Sequence, residues 1–244
     1  MHEAASHSAV SEALVTLALA PLPKQGEAAV EQARRALNET RAGAQAGEAA
    51  APRVASTQSP TQTSLDARVR AWTLGAQLAA RAVPSLATPV LAAALAAGER
   101  FGASEDDLAE AVAVGVEAGT RVLAALDSDE YRARWNVASS IGVLGATLAV
   151  ARLIKLDAAR TQHALGVAAT QAAGLARNAG KAMEAIEIGK AAADAIESAL
   201  IAKHGFTSAV ASIDGRRGLA ALMAYRFDAA RIVGHAGEPW ITAA

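Results

Sequence analysis

The sequence predicts an all-α fold, a single large helical bundle. Three observations carry this. Period-2 alternation of β-branched and aromatic residues is missing throughout, apolar residues recur at helical spacing almost everywhere, and capping residues punctuate those runs at several boundaries. Hydrophobic residues make up 52% of the 244 residues while aromatics make up only 3%, so alanine carries much of the apolar count. Small side chains let helices approach closely, which predicts a thin, layered core.

The periodicity places helices near 9–20, 24–42, 65–82, 86–102, 105–126, 138–155, 158–174, 181–204 and 216–232. Ser104 followed by Asp107 reads as a capping box before the Leu108 helix. Asp157 can cap the helix that follows it. Gly205, just past Lys203 and His204, reads as a C-terminal stop. Pro84 and Pro89 punctuate another helix start. Residues 1–42 read as an N-terminal helix pair, 43–64 as a mobile Ala/Ser/Thr/Gln/Pro-rich linker, 65–234 as the main bundle, and 235–244 as an irregular tail with an exposed Trp240.

A net charge of −1 leaves no electrostatic footprint for nucleic acid, and no polybasic segment suggests a membrane surface. The run "IGVLGATLAVARLI" from Ile141 is interrupted by Arg152 and is too short to span a bilayer. A short apolar patch, Ala13 to Ala20, is preceded by Glu3 and Glu12 and by no Lys or Arg, the wrong polarity for a signal peptide. The expectation is a cytoplasmic protein. There is no cysteine, which excludes disulfides, thiolate metal sites and a cysteine nucleophile. The five histidines include no pair at helical spacing with an intervening glutamate, so no metal site and no cofactor are implied. His163, mid-helix, reads as a packed or surface histidine.

Two stretches could carry chemistry. In "AGKAMEAIEIGKAAADA", residues 179–195, Lys181, Glu184, Glu187 and Lys190 recur every three residues. That spacing fits either a catalytic constellation or a solvated helix face. Asp127, Asp129 and Glu130 form an acidic turn that Arg132 or Arg134 could neutralise, with a solvated loop as the plainer reading. Trp135 and Asn136 follow it, the tryptophan as a core anchor or a pocket wall.

From Leu91 onward the text resembles the MmgE/PrpD family, which contains 2-methylcitrate dehydratase, cis-aconitate decarboxylase and iminodisuccinate epimerase. "ARLIKLDAARTQHALGVAATQAAGL", residues 151–175, is similar to the family's "ARLLGLD…QxxHALGIAGSQASGL". "VGVEAGTRVLAAL" resembles "GYEVAxRLGxAL", and "GKAAADAIESALIAKHGFTSA", residues 189–209, resembles "GRAAxSGxxAALLAxxGFTGP". "GEPW", residues 237–240, is similar to the end of the family's first helical segment. The resemblance implies a helical domain that dimerises, followed in full-length members by an α/β lid domain. The lid is expected to be absent here.

The departures concern the site. Lyase-type members carry an Asp, a Thr or His, and a His-Pro pair before the helix that starts here near Pro89, where "RAVPSLATPVLAAAL", residues 81–95, offers no general base. The family's "GFHPTxTAG" or "GWHxTGTAG" reads here "RWNVASSIG", with Asn136 at the His position. The family's "MTKxLHxGRAA" reads "AMEAIEIGKAA", with Glu184 at the position of the catalytic Lys and Glu187 at that of the His. The catalytic candidates are therefore Glu184, Glu187 and Lys181, and the substrate-binding ones are Asn136, Trp135, Lys190 and Gln171.

Three functions are compatible with these substitutions. One is a non-catalytic helical-domain protein acting as a homodimer or with a full-length, lid-bearing paralogue. A second is a small lyase or isomerase with rearranged acid/base residues acting on a small carboxylate metabolite, for which carboxylate bases favour a neutral or cationic group. The third is a metabolite-binding module without turnover. The apolar content, with few charges over 138–176, predicts a homodimer.

Overall fold

The structure, a computed structural model, describes residues 7–46, 66–234 and 240–243. Its helices are α1 (Ala9–Leu19), α2 (Glu27–Ala46), α3 (Ala67–Arg81), α4 (Ala87–Phe101), α5 (Glu105–Leu126), α6 (Asp129–Arg134), α7 (Val137–Ser140), α8 (Gly142–Leu153), α9 (Ala158–Gln171), α10 (Ala182–Lys203), α11 (Leu219–Met223) and α12 (Ala230–Val233). No strand occurs among the described residues, and the fold is all-α as expected.

The predicted boundaries rest on the expected chemistry. Ser104 and Asp107 form a reciprocal capping box at α5, and that hydrogen bond holds the Asp107 carboxyl below the usual aspartate range. Asp157 accepts the Arg160 N–H to start α9. Gly205 stands just past α10 at φ 90, the left-handed region where glycine is favoured, and Phe206 closes the turn onto the Ile201 carbonyl. Pro89 is the third residue of α4, where its missing N–H costs nothing.

α8 is the central helix. Gly142 to Ala151 are all buried, packed against α4, α5, α9 and α10. The small residues permit this. A Cβ on Gly145 would run into the Gly115 carbonyl of α5, and a Cβ on Gly189 of α10 would run into the Trp72 carbonyl of α3. Backbones therefore touch directly at α5/α8 and α3/α10, the layered packing that the alanine content predicts. Leu14, Leu37, Leu74, Leu144, Leu165 and Ile196 join one buried core, to which α1 and α2 both contribute. Arg152, the charge that interrupts the longest apolar run, reaches the Ala18 and Ala20 carbonyls at the end of α1 and pairs with Glu110. No described helix is long and apolar enough to cross a membrane.

Three expectations are corrected. The helix expected over 216–232 is two short ones, α11 and α12. α11 ends at Met223, whose carbonyl accepts both Arg134 Nη2 (2.8 Å) and Trp135 Nε1 (3.1 Å), while Tyr225 lies under the Arg134 guanidinium. The acidic stretch 127–130 is a loop only at Asp127 and Ser128. Ser128 caps α6, and Asp129 and Glu130 sit in its first turn, where the helix dipole favours them. Asp127 pairs with Arg132 through two hydrogen bonds, the expected compensation. Trp240 is buried, 3% exposed, and a 3-10 turn (Ile241–Ala243) follows it. The linker expected over 43–64 is helical through Ala46; the rest of it, and 235–239, lie outside the described residues.

Candidate functional site

The start of α10 meets α7 through the loop 172–181. Trp135 and Leu175 form an isolated antiparallel bridge, and Asn136 N–H donates to the Gly174 carbonyl (3.0 Å). Gly174 has φ 126, and a Cβ there would strike the Ser139 hydroxyl. Only glycine lets the loop lie this close to α7.

Asn136 is fixed from three sides. Its side-chain oxygen accepts the Ser139 N–H (3.2 Å) and so caps α7. Its carbonyl accepts the Ser140 hydroxyl (2.6 Å), and Ser140 in turn bonds the hydroxyl of Tyr131 (2.7 Å). Tyr131 is fully buried, and burial pushes its hydroxyl up to about 12, so it stays a neutral partner. The remaining group, Asn136 Nδ2, donates to Glu184 Oε1 (2.8 Å).

Glu184 is the third residue of α10. Its other oxygen accepts the Gly180 N–H (2.7 Å) just outside the helix, the reach-back that N-terminal glutamates make. One turn on, Glu187 Oε1 accepts from Asn178 Nδ2 and from Leu175 N–H (3.4 Å). Its Oε2 is buried without a hydrogen-bond partner among the described residues. Neither glutamate has an ion-pair partner among the described residues. The two carboxylates are thus tied to the loop and to the α7 cap by amides alone.

The other candidates separate from this junction. Lys181 is exposed at the N-cap of α10. Lys190 is exposed and pairs with Asp194 (2.5 Å). Successive steps of three residues rotate each side chain by about 60° backward around a helix, so the charges that look periodic fan out instead of converging. Gln171 is exposed at the end of α9, where it donates to Thr170 Oγ1. Trp135 is half-buried against the core, its indole N–H held by the Met223 carbonyl. His163 accepts the Ser208 N–H (3.2 Å), the packed role expected of it. Sequence reading missed Asn178, Gly174 and Tyr131. The glycines flanking "LARNA" were the available signal, because two turns there bring the loop back onto α10.

Two cavities lie away from the junction. One of about 220 Å³ sits among α2, α4 and α5, and one of about 420 Å³ opens beside Leu19, Asp107 and Arg152.

The fold and this junction define an all-α domain whose polar centre is a carboxylate–amide contact at a helix start. The model of the MmgE/PrpD N-terminal domain matches residues 78–231, from the end of α3 into α12, and more than half of the chain. The chain belongs to the MmgE/PrpD family. No curated protein matches it.

Proposed function

We propose that this chain is a helical-domain member of the family that does not turn over the family's carboxylate substrates by itself and acts in an assembly. The Asn136–Glu184 hydrogen bond carries the reading. A site for a substrate carboxylate needs cations and free donors aimed at it. Here the Asn136 amide is spent on a glutamate, Glu187 stands one turn away, and Lys181 and Lys190 are directed elsewhere. Two carboxylates repel an arriving anion, and the low local dielectric strengthens that repulsion.

The assembly is a homodimer, or a heteromer with a lid-bearing paralogue. Exposed apolar side chains support it. Leu175 and Met183 flank the junction loop at 54% and 48% exposure, and Tyr225 and Leu222 stand out at 76% and 73%. Sedimentation of the pure chain and of a mixture with a full-length homologue tests this. A monomer in both at micromolar concentration would contradict it.

A second reading is favoured by one observation, the unpartnered Glu187 Oε2. A buried acceptor of this kind suits a small lyase or isomerase acting at a neutral or cationic group. A substrate screen with Glu184→Gln and Glu187→Gln decides it. Turnover unaffected by either substitution would sink this reading.

A further inference from the structure

Glu117 lies in the middle of α5, fully buried and apart from the junction at the start of α10. Its carboxylate accepts four hydrogen bonds from three residues. Arg121 Nε donates to Oε1 (2.7 Å), and so does the Ile241 N–H (3.1 Å). Thr242 donates to Oε2 twice, through its N–H (3.0 Å) and its hydroxyl (2.9 Å). Three of the four donors therefore come from one short segment more than 120 residues away in sequence. A carboxylate accepts at about four lone-pair positions, so the segment completes the shell.

The segment is seated by more than charge. Trp240 is 3% exposed and lies over Gly26, where a Cβ would stand 3.4 Å from its ring. Thr242 forms part of the wall of the cavity of about 220 Å³, opposite Ala29, Ala33, Leu91, Val112 and Val116.

We propose that the Glu117 carboxylate is an intrachain receptor for Trp240–Ala243, and that this segment is a releasable strap closing one wall of the α2/α4/α5 cavity. Arg121 stays on α5 whether or not the strap is seated, so the receptor survives release with its Oε1 partner in place. Oε2 then waits for two donors, which any incoming N–H and hydroxyl pair can supply. Release also opens the cavity, so a small apolar molecule that fills it shifts the strap equilibrium through its contact with Thr242.

Hydrogen exchange on the full chain, read by mass spectrometry over 240–243 and over α5, tests this. The strap amides exchange at least about 10-fold slower than an unstructured peptide, yet faster than the α5 amides, because local release precedes global unfolding. Thr242→Pro removes both donors to Oε2, the N–H and the hydroxyl, and abolishes the strap's protection while α5 keeps its own. Glu117→Gln turns a donor toward a donor at one of the two oxygens and has the same effect on the strap. Should Glu117→Gln fail to fold, Thr242→Pro alone decides. Strap amides exchanging at the unstructured rate in the unmodified chain would overturn the docking. Strap and α5 amides exchanging together would overturn the release, since the segment would then be an inseparable part of the core.

Discussion

α5 and α10 are both 22 residues long, and each directs glutamates inward, but the two carboxylate centres are built differently. On α5, Glu117 has a cation four residues on and three further donors, and no oxygen is left over. On α10, Glu184 and Glu187 are met only by amides, and one oxygen has no partner among the described residues. The first centre is fully satisfied while Trp240–Ala243 is seated. The second is under-satisfied, and a buried acceptor without a donor costs stability that a purely structural feature has no reason to retain.

The largest expected effect breaks the closed centre. Arg121→Met leaves Glu117 buried and uncompensated and lowers stability by about 3–5 kcal/mol in urea denaturation. Adding Glu117→Leu recovers part of that loss, because no buried charge remains, while the donors of Ile241 and Thr242 still go unmet. A double variant as unstable as the single one would contradict the assignment of the cost to the unpaired charge.

The next effect lies in the open centre. Asn136→Ala removes the α7 cap and the donor to Glu184 together, and costs about 1–2 kcal/mol by thermal melting. A smaller effect concerns the edge of that centre. Burial holds the Asp194 carboxyl above the usual aspartate range, and Lys190 offsets part of this. The ionised form of Asp194 therefore costs stability above its raised folded value. Lys190→Ala enlarges that cost by a few tenths of a kcal/mol near neutral pH, since the lysine is half exposed and screened. The deficit fades as pH falls and is gone below the ordinary aspartate value, where both states carry the proton. A pH series of denaturation midpoints that shows a constant deficit would rule this out.

The smallest expected effect sharpens the comparison most. Glu187→Gln keeps the oxygen that Asn178 and Leu175 use and removes a charge with no partner, so stability changes by less than about 0.5 kcal/mol. A loss comparable to that of Arg121→Met would mean that Glu187 belongs to a closed centre too.

The sequence carried much of the fold and little of the site. Capping box, glycine stop and apolar period located α5, α9 and α10, because those signals are local. α6 was missed since six residues are too few to show a period, and α11 was overrun because the contacts at its end come from Arg134 and Trp135, some 90 residues upstream. Glu117 and Arg121 passed as ordinary text within a stretch resembling the family. Their role depends on the segment at 240–243, which nothing in its own sequence marks as buried. At the site, the resemblance identified the positions of Asn136, Glu184 and Glu187, but the three-residue spacing misgrouped the lysines with them. Only the path of the loop 172–181 decides which side chains meet.

The central claim is that the start of α10 is an acidic, amide-tied centre where a cationic clamp for carboxylates is expected. Thermal unfolding of the chain with and without a millimolar tricarboxylate such as citrate tests it most directly, alongside the variant Glu184→Lys with Glu187→His. The account predicts no shift in the unfolding midpoint for the unmodified chain and a rise for the double variant, because a ligand that binds only the folded state stabilises it in proportion to its occupancy. A rise for the unmodified chain, lost when Asn136 is replaced by alanine, would show that the centre binds carboxylates after all and would contradict the account.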